Sequence, residues 1–193
     1  MPWEKAYNKT EVLECAMHAF WARGYAATSM SELVDAMGIN RGSIYSAFDG
    51  KHSLFMQALR HYDDVYRRQY VAEITQEYSG KAAIFAVFEG AAGSIGACDT
   101  PGGCLLVNSA LELSPHDPDV RRLVHTCFRE MEDFFVAKIE ESVTDGDVDQ
   151  SIDVPGTAQA LLGLFLGLRV LTCSMPRQAA IDGVLNTART LLA

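Results

Sequence analysis

Between residues 24 and 51 the chain is punctuated more densely than one long helix or a strand can tolerate. Gly24 ends a segment in which Val12, Leu13, Ala16, Met17 and Phe20 fall on one helical face. Ser29 and Glu32 have the spacing of a capping box, which satisfies free N–H groups at a helix start. Met30, Leu33, Val34 and Met37 then form an apolar stripe that stops at Gly38, a residue able to take positive φ at a helix end. Asn40 suits the N-cap of a further short helix, in which Ile44, Ala47 and Phe48 turn inward while Arg41, Ser43 and Tyr45 stay outside. This spacing predicts three short helices, the last two joined through Gly38-Ile39 as a helix-turn-helix over about 29–48.

Helical periodicity continues beyond. A fourth helix starts at Lys51, and helical character runs past Tyr62 towards Tyr78 with a bend, until Ser79-Gly80 breaks it. Lys81 to Ala97 reads as an Ala- and Gly-rich helix, Asp99 to Gly103 as a turn, and Cys104 to Leu113 as a short helix. Asp117 caps a long helix with Pro118 in its first position, reaching Ser142. After the acidic loop 144–153, the segment Ala158 to Cys173 is apolar on nearly every side. It therefore needs cover on both sides, most readily from a second copy of the chain. Arg177 to Leu192 makes a terminal helix. No alternating strand, repeat or low-complexity segment interrupts this reading. The expected fold is all-α: a three-helix domain over 1–50, then a helical, dimerising domain over 51–193.

Charge is unevenly divided. The net charge is −9, yet residues 1–60 hold six Lys/Arg and six Asp/Glu, so the acidity lies wholly in residues 61–193. The first part can approach a phosphate backbone without a global penalty. The longest apolar run, Ala158 to Val170, contains Arg169 and falls short of a bilayer span, and the N-terminus lacks a hydrophobic signal core. Cytoplasmic residence without membrane attachment is expected. Five cysteines, odd in number and without CxxC spacing, argue against zinc and against a disulfide framework, so no metal or cofactor is expected. No enzyme is expected either: Ala92 stands where a GxSxG motif needs its first glycine, and no P-loop, dinucleotide fingerprint or HExxH occurs.

A helix-turn-helix reads DNA by inserting the start of its second helix into the major groove while its other face stays pinned to a core. Arg41 can meet phosphate or guanine, Gly42 lets backbone approach, Ser43 can hydrogen-bond either, and Tyr45 offers a hydroxyl at phosphate height. Lys51 opens the next helix, whose free N–H groups also favour a phosphate. A merely solvated helix end is the competing reading. A helical interaction protein would fit the apolar final helices but would leave the first sixty residues unexplained.

The run from Glu11 to Leu59, above all GYAATSMSELVDAMGINRGSIYSAFDGKHSLF, resembles the DNA-binding domain of TetR-family transcriptional regulators. The segment GGCLLVNSALEL, residues 102–113, also resembles the ligand-binding region of one TetR subgroup. The resemblance implies a homodimeric regulator, most often a repressor, that binds a palindromic double-stranded DNA operator and leaves when a small-molecule effector binds. It implies phosphate contacts from Thr28 or Ser29, Tyr45 and Lys51, and base-edge contacts from Arg41, Gly42 and Ser43 behind the Asn40 cap. Ser46, Ala47, Gly50 and His52 depart from the residues common at their positions. The second domain becomes an effector-binding one, with Phe55, Tyr62, Tyr66, Phe85, Phe88, Cys104, Asn108, Glu112, His125 and Phe128 on the helices that line the family's cavity.

Two of these residues carry chemistry of their own. Glu112, a carboxylate on an otherwise apolar helix, needs a partner. Cys104 opens a helix after Pro-Gly-Gly, where a thiolate is favoured, which leaves a thiol-based redox or electrophile sensor as the alternative, with Cys98 as resolving partner.

Overall fold

The computed structural model describes residues 8–93 and 103–193, and every regular element among them is helical. Helix α1 (Lys9–Arg23) starts at the Asn8 cap and stops at Gly24, whose φ of 81° only glycine adopts readily. Helix α2 (Met30–Met37) opens with the full reciprocal capping box: Ser29 accepts from the Glu32 N–H, and the Glu32 carboxylate accepts from the Ser29 N–H. Gly38 closes it at φ 65°, ψ 18°. Helix α3 (Arg41–Phe48) is capped by the Asn40 side chain, which accepts from the Ser43 N–H at 2.8 Å.

Helix α4 (Lys51–Tyr62) does not end before α5 (Gln69–Glu77). A π-helical stretch, Asp63–Arg68, joins them into one rod, which is the physical form of the expected bend. Asp63 is almost wholly buried at this stretch; Arg67 and Arg68 pair with its carboxylate, and Glu130 binds both arginines in turn. Helix α6 (Gly80–Gly93) follows; the expected continuation to Ala97, Cys98 and the turn through Pro101-Gly102 lie outside the described residues. Then come α7 (Leu105–Glu112), α8 (Pro118–Thr144), α9 (Val154–Ser174) and α10 (Gln178–Leu191). Asp117 caps α8 as expected, accepting from the Asp119 and Val120 N–H groups.

Two apolar cores organise these rods. In the first, α1 packs on α2 and α4, and Phe20, Leu33, Ile44, Phe48, Leu54, Phe55 and Leu59 are buried together. This core runs past residue 50 into α4 and also takes in Leu105, Leu106, Val120 and Val124 from α7 and α8. The second joins α6, α8, α9 and α10 around Phe88, Phe135, Ile139, Leu161 and Leu168. Helix α9 is longer than its apolar run suggests, and by length and composition alone it could cross a bilayer. It nevertheless carries Arg169 and packs against α6, α8 and α10. Its buried residues are Ala158, Leu161 and Leu168, while Ala160, Gly163, Gly167 and Val170 lie exposed along its outer side.

Gly38 is the clean test of this local reading. An added Cβ would meet nothing within 4 Å, so Gly38→Ala should cost only the left-handed backbone, about 1–2 kcal/mol. Chemical denaturation should show that loss as a lower midpoint at unchanged slope.

Candidate nucleic-acid interface and internal cavity

Helix α3 displays its N-terminal turn. Arg41 and Gly42 are exposed, Ser43 is half-buried, and the Arg41 guanidinium lies 5.7 Å from the centre of the Tyr45 ring. Tyr45 is 48% exposed, which is unusual for an aromatic side chain and leaves its hydroxyl accessible. Behind it the chain turns sharply through Asp49 (φ 58°) and Gly50 (φ 102°). Gly50 gives α4 no side-chain cap, so the first N–H groups of that helix are left to an outside acceptor, with Lys51 beside them. The Lys51 ammonium rests 4.3 Å above the Tyr25 ring. Ser29 is exposed at the start of α2. Thr28 departs from the expectation of a phosphate contact: it is fully buried, and its hydroxyl donates to the Gly24 carbonyl at 2.6 Å.

A cavity of about 450 Å³ lies deeper, between the two cores. Of the ten expected pocket residues, Tyr62, Tyr66, Cys104 and Phe128 line it. The other six lie elsewhere. Phe55 is locked edge-on against Phe20 and Tyr25 in the first core, and Phe88 and Phe85 pack in the second. Asn108 lies off the wall, and His125 points outward on the exposed side of α8. Glu112 reaches away from the cavity and accepts the N–H groups of Tyr25 and Ala26 at 3.0 and 2.7 Å.

The wall that the sequence did not reveal is largely aromatic and thiol-bearing. Trp21 enters from α1, Tyr70 from α5, Met131 from α8 and Phe165 from α9; Cys127 and Cys173 join Cys104. The Trp21 indole meets Tyr62 and Tyr66 edge-on, and its N–H is buried without an acceptor among the described residues. Arg169 reaches in from α9, donates to the Gly103 carbonyl at 3.0 Å, and interacts with the Tyr62 hydroxyl and the Cys104 thiol. Burial pushes the Tyr62 hydroxyl well above its ordinary value, the Cys104 sulfur adds to this, and Arg169 opposes it. The surface cluster His52, Asp117 and Asp119 has ligand atoms within 4.8 Å of one another and is the one group of the described residues that could hold a metal ion. Its central carboxylate is already occupied, capping α8 and bonding the His52 ring at 2.7 Å.

Comparison with known proteins gives this arrangement a lineage. Residues 12–58 match the family described as bacterial regulatory proteins, tetR family, and residues 80–187 match the tetracyclin repressor-like C-terminal domain. The chain belongs to the TetR family of bacterial transcriptional regulators. The HTH-type transcriptional repressor ComR of Escherichia coli strain K12 is 27% identical over 189 residues, spanning 97% of this chain and 89% of ComR. The TetR family transcriptional regulator CifR, solved as a cysteine mutant complexed with 26-base-pair double-strand operator DNA, is 25% identical with a TM-score of 0.84. That match covers 99% of this chain and 98% of CifR. A TetR-family regulator from Cytophaga hutchinsonii shares the fold at TM-score 0.86 and 20% identity over 97% and 96% of the two chains.

Membership of the TetR family displaces the reading of a helical interaction protein. Some of the wall residues had a signal in sequence. Tyr62, Tyr66 and Tyr70 recur every fourth residue, a stripe that marks one face of the rod 51–77. Trp21 had none, because it reaches the cavity from a helix that the periodicity assigns to packing, and Arg169 had only its place as a charge in an otherwise apolar run.

The thiols should differ sharply in reactivity. Burial, with Asp63 beside it, pushes the Cys127 thiol up to about 12, so it stays protonated at pH 8. Peptide mass spectrometry after iodoacetamide at pH 8 should find exposed Cys15 and Cys173 alkylated first, half-buried Cys104 later, and Cys127 only after unfolding.

Proposed function

We propose that this TetR-family regulator is a repressor that binds a palindromic operator as a homodimer and is released when a small-molecule effector enters the cavity. The observation that carries the reading is the junction of the exposed start of α3 and the uncapped start of α4 with an aromatic-walled cavity into which the reading domain's own Trp21 projects. The operator complex of CifR supports the DNA half. We assign phosphate contacts to Ser29, Tyr45 and Lys51 and base-edge contacts to Arg41, Gly42 and Ser43, with a reading domain over about 1–50 whose core α4 completes, and a cytoplasmic site of action. The outer side of α9 supports dimerisation: a Cβ at Gly163 or Gly167 would meet nothing within 4 Å, leaving room for a second copy to approach closely.

A second reading, thiol-based sensing, has one observation in its favour: the Cys104 sulfur lines the cavity and interacts with the Arg169 guanidinium there. Operator release by mild oxidation, reversed by reductant and absent from Cys104→Ser, would select it over reversible effector binding.

An operator selected from a random duplex pool tests the main reading. Lys51→Ala should weaken all duplexes alike and lower the salt slope by about one. Arg41→Ala should instead relax preference at particular base pairs, costing about 1–3 kcal/mol there. Equal binding of selected and random duplexes by the wild type would overturn the assignment.

Gly167→Arg should keep the fold, because that position is open, but abolish the dimer. Light scattering at micromolar concentration reads the outcome, and a dimer unchanged by the substitution excludes this face of α9.

A further inference from the structure

We propose that Glu112 is the positioning residue that fixes the DNA-reading domain against the cavity-bearing domain, so that a shift of α7 re-aims α3; this rests on the regulator reading above. Helix α7 is one short rigid rod that touches both sites. Its start lines the cavity through Cys104 and Leu106, and its last residue, Glu112, leaves for the turn between α1 and α2.

The carboxylate is bound there by chemistry rather than by proximity alone. Tyr25 and Ala26 lie in a turn, outside any helical ladder, and their N–H groups both point at Glu112, at 3.0 and 2.7 Å. Successive amides aimed at one anion form a small cradle, and such charge-assisted bonds are stronger than neutral ones. Gly24 makes the approach possible: a Cβ there would stand 2.9 Å from the Glu112 Oε2 atom. Two residues beyond the cradle come Thr28, buried against α1, and Ser29, the cap of α2. The cradle is therefore at the root of the helix-turn-helix.

A second grip comes from the same connection. Asp117, five residues after Glu112, meets the His52 ring at 2.7 Å on the first turn of α4. Between the two grips lies Tyr25, its ring against Phe55 and beneath Lys51. The stretch from Glu112 to Asp117 thus holds the reading domain on both sides of Tyr25. A dimer engages both halves of a palindrome only if its two α3 helices keep a fixed spacing, and the Glu112 cradle is the contact that sets each one's direction.

The test compares Glu112→Gln and Glu112→Ala with the wild type on the selected full operator and on a duplex carrying one half-site, together with amide exchange of the folded chain. Glu112→Gln should weaken full-operator binding on the order of tenfold, Glu112→Ala more, while half-site binding changes less than about twofold. Tyr25 and Ala26 amides should exchange on the order of tenfold faster, with α2 amides unchanged. Unchanged exchange at these two amides, or full-site and half-site binding falling together with α2 protection, would overturn the proposal. Should the wild type select no DNA, the regulator reading fails, and the exchange of Tyr25 and Ala26 still decides whether Glu112 holds the turn.

Discussion

The structure depends on one helical rod being shared. Most of α4 completes the core of the reading domain, with Leu54, Phe55, Ala58 and Leu59 buried against α1. Tyr62 at its end, Tyr66 in the π-helical stretch and Tyr70 in α5 line the cavity. The π-helical stretch between them lets a single rod satisfy both sets of neighbours, since it changes the direction in which later side chains point. That stretch is held by Asp63, whose buried carboxylate is tolerated only because Arg67 and Arg68 compensate it and Glu130 binds both arginines.

Electrostatics divides the labour along the same rod. The neutral first sixty residues expose Arg41 and set half-buried Lys51 at the uncapped start of α4, whereas the acidity of the chain lies wholly in the remainder. Where the parts meet, the acidic body supplies carboxylates to the reading domain: Glu112 to the turn amides and Asp117 to His52. The Asp117 carboxyl is pushed up by burial, but the Val120 N–H, the His52 ring and the Asp119 N–H outweigh this and hold it below its usual value, so this carboxylate is ionised at neutral pH.

Legibility followed the range of each interaction. Ser29 with Glu32, Asn40 with Ser43, Gly38 at positive φ and Asp117 with Pro118 are all satisfied within a few residues, and each was readable from spacing. Glu112 announced that it needed a partner, but the partners lie 86 and 87 residues away and are backbone groups, which carry no side-chain signature. Thr28 looked like an exposed hydroxyl beside a cap; only the folding of α1 against the turn buries it.

By itself, the sequence determined the helices, their ends, the helix-turn-helix and the lineage, because capping and 3.6-residue periodicity act locally and leave a record in order. Tertiary structure alone decided what surrounds the cavity. It brought Trp21 in from the first helix and Arg169 from the ninth, and turned Phe55, Phe88 and His125 away. A helix face is fixed by sequence, but which of several apolar faces meet depends on crossing geometry and on the register of the rod that joins them. Here a six-residue π-helical stretch, Asp63–Arg68, sets that register.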